Sequence, residues 1–160
     1  MRILSRFIPL ILSLVIFDVS LSPGAQQPFS IVITTAQVTV KVGSEVRVDI
    51  QVKNSSDANI MLDSPGSPSY DMDVRDSKGE QAPETELMRK IHAPQDPSTR
   101  LEGSFVVPIL PRGQSVQQYL SVSKFYDIST AGKYTIQLQA TDHLSKKSVK
   151  SNTITVIVTP

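Results

Sequence analysis

The chain has 160 residues, of which 39% are hydrophobic and 19% are charged, and it contains no cysteine. This composition is that of a globular protein, and the lack of cysteine excludes disulfides, thiol catalysis and cysteine-rich zinc sites. The formal net charge is +1, which gives little electrostatic attraction to phosphate backbones or anionic lipid, so we expect no nucleic-acid partner.

The first 25 residues have the layout of a secretory signal peptide. Arg2 and Arg6 precede an apolar run at 7–17, and small residues follow up to Gly24 and Ala25. A charged start, a short apolar run and a small-residue exit are typical of export, and the run is too short for a membrane span of about 20 residues. We predict cleavage after Gly24 or Ala25, a mature domain over 26–160 with no membrane span, and a secreted or periplasmic location. A buried N-terminal helix is the alternative, but nothing amphipathic continues the run.

Alternation of apolar and polar residues is the strongest pattern in the rest of the chain. Residues 45–52 alternate charged or polar side chains with valine and isoleucine, and similar alternation recurs at 70–75, 134–141 and 153–159. This period of two predicts strands with one face in a core and the other in water. Weaker strand patterns lie at 29–35, 38–42, 60–63, 104–110 and 116–123. Pro108 predicts that the 104–110 strand is an edge or bulged strand, because proline cannot donate to a ladder.

Turn signals separate these strands at 42–44, 54–57, 76–79 and 110–113. Gly79 and Gly113 hold the fourth position of type I turns. Short strands with a turn between each predict an all-β sandwich or barrel.

Residues 80–103 interrupt the alternation. Leu87, Met88 and Ile91 share one face of a possible short helix, with acidic residues before it and basic residues at its end, an order that complements the helix dipole. The segment is longer than a simple connection needs. We therefore expect one short helical or irregular insertion in the β fold.

Residues 127–136 resemble the entry to strand F of immunoglobulin-like domains. Asp127 and Gly132 precede Tyr134, which matches the corner tyrosine, and Ile136 stands where antibody domains have a cysteine. The resemblance implies an immunoglobulin-like antiparallel β-sandwich of about 7–9 strands, in which the Tyr134 hydroxyl bonds to upstream backbone. The chain contains no tryptophan, so it is similar to the disulfide-free sandwich class and not to antibody domains.

A narrower resemblance covers roughly residues 46–140. It is carried by the alternating strand that ends at Asn54, by the segments 70–79 and 110–114, and by Gly-Lys-Tyr at 132–134. These features are similar to the bacterial domain named for the intracellular proteinase inhibitor of the BsuPI type. Such domains are immunoglobulin-like, and many occur in exported proteins. The family usually has a tryptophan after the position of Gly79, where this chain has Glu-Gln.

The residue types that carry chemistry form no constellation in the sequence. His92 and His143 lie in different predicted loops without metal-ligand spacing, which favours solvated histidines over a metal or acid–base role. Asp71, Asp73 and Asp76 lack the spacing of a calcium loop, and a solvated strand face is the simpler interpretation. No nucleophile elbow, phosphate loop or dinucleotide fingerprint is present. We therefore predict no enzymatic activity, no cofactor and no metal site.

Two local features leave alternatives open. Asn54 begins an Asn-Ser-Ser glycosylation sequon, which is otherwise an ordinary polar loop. Leu87, Met88 and Ile91 could present an apolar contact to a partner, or they could pack on the sheet and cover an edge.

The functional prediction is a non-catalytic interaction module that binds a protein or a glycan outside the cytoplasm. It rests on the export signal, on the sandwich pattern and on the absence of a chemical motif, because sandwich proteins usually bind through loops or strand edges. One alternative, implied by the narrower resemblance, is a BsuPI-like proteinase inhibitor that inserts residues 80–103 into a protease cleft. The other is an accessory subunit of an envelope assembly.

Overall fold

In a computed structural model, the described residues are 27–63, 70–93 and 109–160. Their strands are β1 (Phe29–Thr34), β2 (Thr39–Lys41), β3 (Arg47–Asn54), β4 (Ile60–Met61), β5 (Tyr70–Arg75), β6 (Ile109–Leu110), β7 (Ser115–Ser121), β8 (Gly132–Thr141), β9 (Ser148–Lys150) and β10 (Ile154–Thr159). The helix α1 spans Glu86–His92, and a 3-10 turn spans Val122–Lys124. The predicted signal segment, the end of the insertion at 94–103 and Pro108 lie outside the described residues. Within these ranges no helix is long and apolar enough to cross a membrane.

Two main sheets form the sandwich. The first has the order β1-β3-β7, and the second has the order β2-β10-β8-β5 with β9 also paired to β8. All strand pairs are antiparallel except β2 with β10. The predicted all-β, immunoglobulin-like sandwich is confirmed. The strands β1, β3 and β7 correspond to the ABE strands of that fold, and β10, β8 and β5 correspond to its GFC strands, with β2 added at the edge of the second sheet. A two-stranded sheet of β4 and β6 lies beside them.

The predicted inward faces are buried. In β3 the residues Val48, Ile50 and Val52 are at most 1% exposed, whereas Arg47 and Gln51 face solvent. The same alternation buries one face of β5 and β8, and the two sheets enclose one hydrophobic core. Successive side chains of a strand point to opposite faces, so this local pattern predicted the buried faces of these strands.

A bulge divides the last strand into β9 and β10. Counted as one strand, these two reduce the ten strands of the described residues to nine, within the seven to nine expected. Both β9 and β10 pair with β8, but their registers differ by one residue across Ser151. The Ser151 N–H donates to the Leu138 carbonyl at 2.8 Å, and the Leu138 N–H donates to Ser151 Oγ at 2.9 Å. The Asn152 side chain then exchanges two hydrogen bonds, of 2.8 and 2.9 Å, with the backbone of Ile33 in β1. The bulge therefore joins the edge of the first sheet to the second.

Asn54, the last residue of β3, is fully buried and fixes the neighbouring loops. Its Nδ2 donates to the carbonyls of Ala58 and Leu110, both at 2.9 Å. Its Oδ1 accepts from the N–H of Ser56 at 2.9 Å and from the Ser56 hydroxyl at 2.7 Å. Because both amide hydrogens are used and the side chain is closed to solvent, the Asn54 sequon cannot carry a glycan in the folded protein.

Asp142, which follows β8, also fixes neighbouring loops through buried hydrogen bonds, and it is 1% exposed. Its carboxylate accepts from the backbone N–H groups of Met61 at 2.8 Å, Leu144 at 3.2 Å and Ser145 at 3.0 Å, and from the Ser145 hydroxyl. Burial raises the pKa of the Asp142 carboxyl, but these hydrogen bonds outweigh burial and leave the pKa below its ordinary value. Asp142 thus holds β4 through Met61.

We expect the substitution Asn54→Ala to lower the free energy of unfolding by about 1–3 kcal/mol, because it leaves buried backbone groups without partners. Asn59→Ala is the matched control, since Asn59 is an exposed residue of the same loop, and it should change the free energy by less than about 0.5 kcal/mol. Urea unfolding followed by circular dichroism measures both. Equal effects of the two substitutions would show that Asn54 is not an anchor.

Asp142 should also contribute to the dependence of stability on pH. A carboxyl with a lowered pKa in the folded state stabilises the fold above its unfolded pKa of about 3.9, and this contribution is lost as the pH falls through the folded value. Asp142→Asn should therefore cost about 1.5–3 kcal/mol at neutral pH, and the difference from the native protein should shrink below pH ~4. Urea unfolding across a pH series checks this, with Asp57→Asn, at an exposed aspartate, as the control. A difference that stays constant down to pH ~2 would contradict the role given to the carboxylate.

Candidate functional site

The described part of the insertion packs on the core through α1. Thr85 caps the helix: its Oγ1 accepts from the Met88 N–H at 3.3 Å and donates to the Lys124 carbonyl at 2.7 Å. Met88 is 2% exposed, Ile91 packs against the core, and Leu87 is 47% exposed. Of the three residues predicted as a partner contact, only Leu87 is therefore well exposed to solvent. Met88 is closed to a partner because its side chain belongs to the core.

The same segment covers the free edge of β5. The Ala82 N–H donates to the Val74 carbonyl at 2.8 Å, and Gln81 forms an antiparallel bridge with Arg75. An inhibitory loop that enters a protease cleft must stand clear of the body, but these residues are hydrogen-bonded to the sheet or lie against it. The geometry of the described segment therefore offers no support for inhibition through residues 80–93.

Neighbouring residues of α1 provide a test of this packing. Met88→Ala should lower the free energy of unfolding by about 2–5 kcal/mol, because it opens a cavity in the core. Leu87→Ala removes an exposed side chain of similar size and should cost less than about 0.5 kcal/mol. Denaturant unfolding of the two variants measures the contrast. If Leu87→Ala were the more damaging substitution, the orientation of α1 described above would be incorrect.

The residues that resemble an immunoglobulin corner lie at the start of β8. The Tyr134 hydroxyl donates to the Thr130 carbonyl at 3.0 Å, and burial together with the Asp127 carboxylate raises the pKa of Tyr134. Hydrogen bonds from Ser129 lower the pKa of Asp127, and Gly132 begins the strand. All of these interactions are within the chain, so the geometry gives the corner a structural role.

The histidines and strand aspartates do not assemble into a chemical site. His92 Nδ1 lies 3.0 Å from Glu84 Oε1 at the end of α1, whereas His143 is in the turn after β8. Asp73 pairs with Arg75 at 2.8 Å, and Asp76 closes its own turn by accepting backbone N–H groups. Across the three described ranges, no three metal-ligating side chains come together.

A groove of about 930 Å³ lies between the β2–β3 turn and the start of α1. Three of its polar side chains serve the fold. Ser123 Oγ accepts from the Val46 N–H at 3.2 Å, Thr85 caps α1, and Asp127 accepts from the Ser129 N–H at 3.0 Å. These three side chains are therefore already engaged in hydrogen bonds within the fold.

The outer face of the first sheet presents the most distinctive surface. We call it the Tyr119 face, and it consists of Val32, Thr34, Arg47, Asp49, Gln51, Gln117 and Tyr119. The strand registers place these residues in two rows, with Thr34, Asp49 and Tyr119 side by side and Val32, Gln51 and Gln117 in the next row. A shallow depression of about 410 Å³ lies over them.

Tyr119 dominates this face because it is 64% exposed. The Arg47 guanidinium carbon lies 4.2 Å from the centre of its ring, and Arg47 also pairs with Asp49 at 3.1 Å. The cation–π contact and the ion pair hold the ring in place. The face therefore offers a positioned aromatic ring between an internally neutralised charge pair and two amides.

Tyr119 belongs to none of the motifs recognised in the sequence. Its orientation could be predicted from strand alternation. Gln117 and Tyr119 alternate with Val116 and Leu120, which assigns the tyrosine to the polar face of its strand.

No protein-family model matches the chain, and no curated protein matches it. The resemblance to BsuPI-type domains therefore stays a prediction from the segments in which it was found.

Proposed function

We propose that the protein is a non-catalytic interaction module outside the cytoplasm and that it binds a protein or glycan partner through the Tyr119 face. The observation that carries this proposal is the exposure of Tyr119, 64%, on a sheet face where Arg47 holds its ring. Tyrosine and arginine are enriched among the residues that dominate binding energy at interfaces. A positioned tyrosine also loses little conformational entropy when a partner binds.

The chemistry around the ring supports a polar but uncharged partner surface. Arg47 and Asp49 neutralise each other at 3.1 Å, so the centre of the face carries no net charge. Gln51 and Gln117 lie in the adjacent row, and each amide can both donate and accept hydrogen bonds. Hydroxyl groups of a glycan, or backbone and amide groups of a protein, are complementary to such a surface.

The remaining features support the class of function. The N-terminal pattern of residues 1–25 favours export, and no catalytic constellation is recognisable in the sequence or among the described residues. Hydrogen bonds fix residues 81–85 and α1 to the body of the protein, so this segment is not free to bind a partner as a protruding loop. The Tyr119 face is therefore the surface that we propose for binding.

A cross-linked pull-down from native envelope and culture fluid, together with a glycan array, tests the proposal. Tyr119→Ala should reduce partner recovery at least about tenfold, since truncation of a central aromatic contact typically costs ~2 kcal/mol or more. Ile157→Ala is the matched control, because Ile157 is 43% exposed on the outer face of the other sheet, and recovery should be unchanged. A partner retained by Tyr119→Ala but lost with Ile157→Ala would move the site to the second sheet and refute the proposal.

A further inference from the structure

A second candidate site lies where β3 and β7 meet the β4–β6 pair, away from the Tyr119 face. A cavity of about 430 Å³ is walled by the inner sides of β3 and β7 and by the β4–β6 pair. Its lining is mostly apolar, with Val52, Leu62, Leu110 and Val116 among the contributing residues. The volume falls within the range of about 300–1,000 Å³ that is usual for small-molecule sites.

Besides Gln114, Ser115 and Gln118, two further polar side chains, Tyr70 and Asp63, line the cavity. Tyr70 is 1% exposed, and its hydroxyl has no hydrogen-bond partner among the residues that the structure describes. A buried hydroxyl without a partner is uncommon because it loses its hydrogen bonds to water without replacement. Burial and the nearby Asp63 carboxylate raise the pKa of Tyr70 to about 12, so the hydroxyl keeps its proton at neutral pH.

Asp63 is the second polar group, and it lines the same cavity. Its side chain is 12% exposed, and His143 Nε2 lies 3.0 Å from its Oδ1. The distance is that of an ion pair, but the His143 nitrogen is not oriented as a hydrogen-bond partner. The carboxylate therefore retains acceptor capacity towards a further donor.

The charge of the lining selects the ligand. Among the described residues, the lining contains no lysine, arginine or histidine, and His143, the imidazole 3.0 Å from Asp63 Oδ1, stands outside that lining. An anionic head would therefore meet the Asp63 carboxylate without a compensating cation in the described wall. A hydroxyl can donate to Asp63 and accept from Tyr70, and an ammonium can donate to both oxygens. Both heads share the property of donating a hydrogen bond without carrying negative charge.

We propose that this cavity binds a small amphipathic molecule whose apolar body lies against Val52, Leu62 and Val116 and whose alcohol or primary amine head lies between Tyr70 and Asp63. The site is separate from the Tyr119 face, and it does not depend on the partner proposed for that face.

The test uses the purified protein and three probes with the same six-carbon chain: hexan-1-ol, hexylamine and hexanoate. Binding is measured by ligand-observed NMR and calorimetry at millimolar concentrations. The alcohol or the amine should bind, and hexanoate should bind at least about tenfold more weakly. Binding of the alcohol alone would assign a neutral head, and stronger binding of the amine would assign a cationic one.

Two substitutions test which residue contacts each head group. Tyr70→Phe should weaken the alcohol by roughly two- to tenfold, and Asp63→Asn should weaken the amine on the order of ten- to a hundredfold. Asp57→Asn, at an exposed aspartate outside the cavity lining, should leave both affinities unchanged. Tyr70→Phe removes only a hydroxyl that has no partner among the described residues, and it should keep the fold, so it remains decisive if Asp63→Asn unfolds the protein.

The proposal is overturned by any of three results. Hexanoate could bind as well as the tighter of the alcohol and the amine, neither the alcohol nor the amine could show binding, or folded Tyr70→Phe could bind the tightest probe as the native protein does. The Tyr119→Ala pull-down is independent of all three, so failure of one proposal does not decide the other.

Discussion

The buried amide of Asn54 fixes the part of the molecule that is least supported by strand pairing. As strands, β4 and β6 pair only with each other. Asn54 holds β6 through the carbonyl of Leu110, and Asp142 holds β4 through the N–H of Met61. In a low-dielectric interior such satisfied polar contacts are strong, and broken ones are costly. The wall of the inner cavity, which includes Leu62, Asp63 and β6, depends on these two anchors.

Local pattern predicted much of this fold, because period-two alternation is written in neighbouring residues. It located β3, β5, β8 and β10 together with their buried faces, and the spacing of Leu87, Met88 and Ile91 located α1. Spacing alone did not show which of those three side chains faces the core. An apolar arc of about 100° on a helix includes side chains that point into the core and side chains at the border with solvent. The register change at Ser151 was also invisible, because it is set by pairing with β8 and not by composition.

The proposed sites were harder to predict than the fold because they depend on contacts that are distant in sequence. Asp63, Tyr70 and Val116 meet only when the β4–β6 pair is placed beside β5 and β7. No sequence motif predicts that placement, and the alternating pattern predicts only that Tyr70 is a core residue. Tyr119 was visible by parity, but its contact with Arg47 depends on the register between β3 and β7.

The two faces of β7 contribute to the two proposed sites, which differ in chemistry. Gln117 and Tyr119 face outwards, whereas Val116 lines the inner cavity. On the outside, water competes for every hydrogen bond, so an aromatic ring contributes chiefly through the contact area that it buries. On the inside, water competes less, and one unpartnered hydroxyl can decide between head groups of otherwise similar ligands. The two tyrosines are therefore expected to act differently, Tyr119 through its ring and Tyr70 through its oxygen.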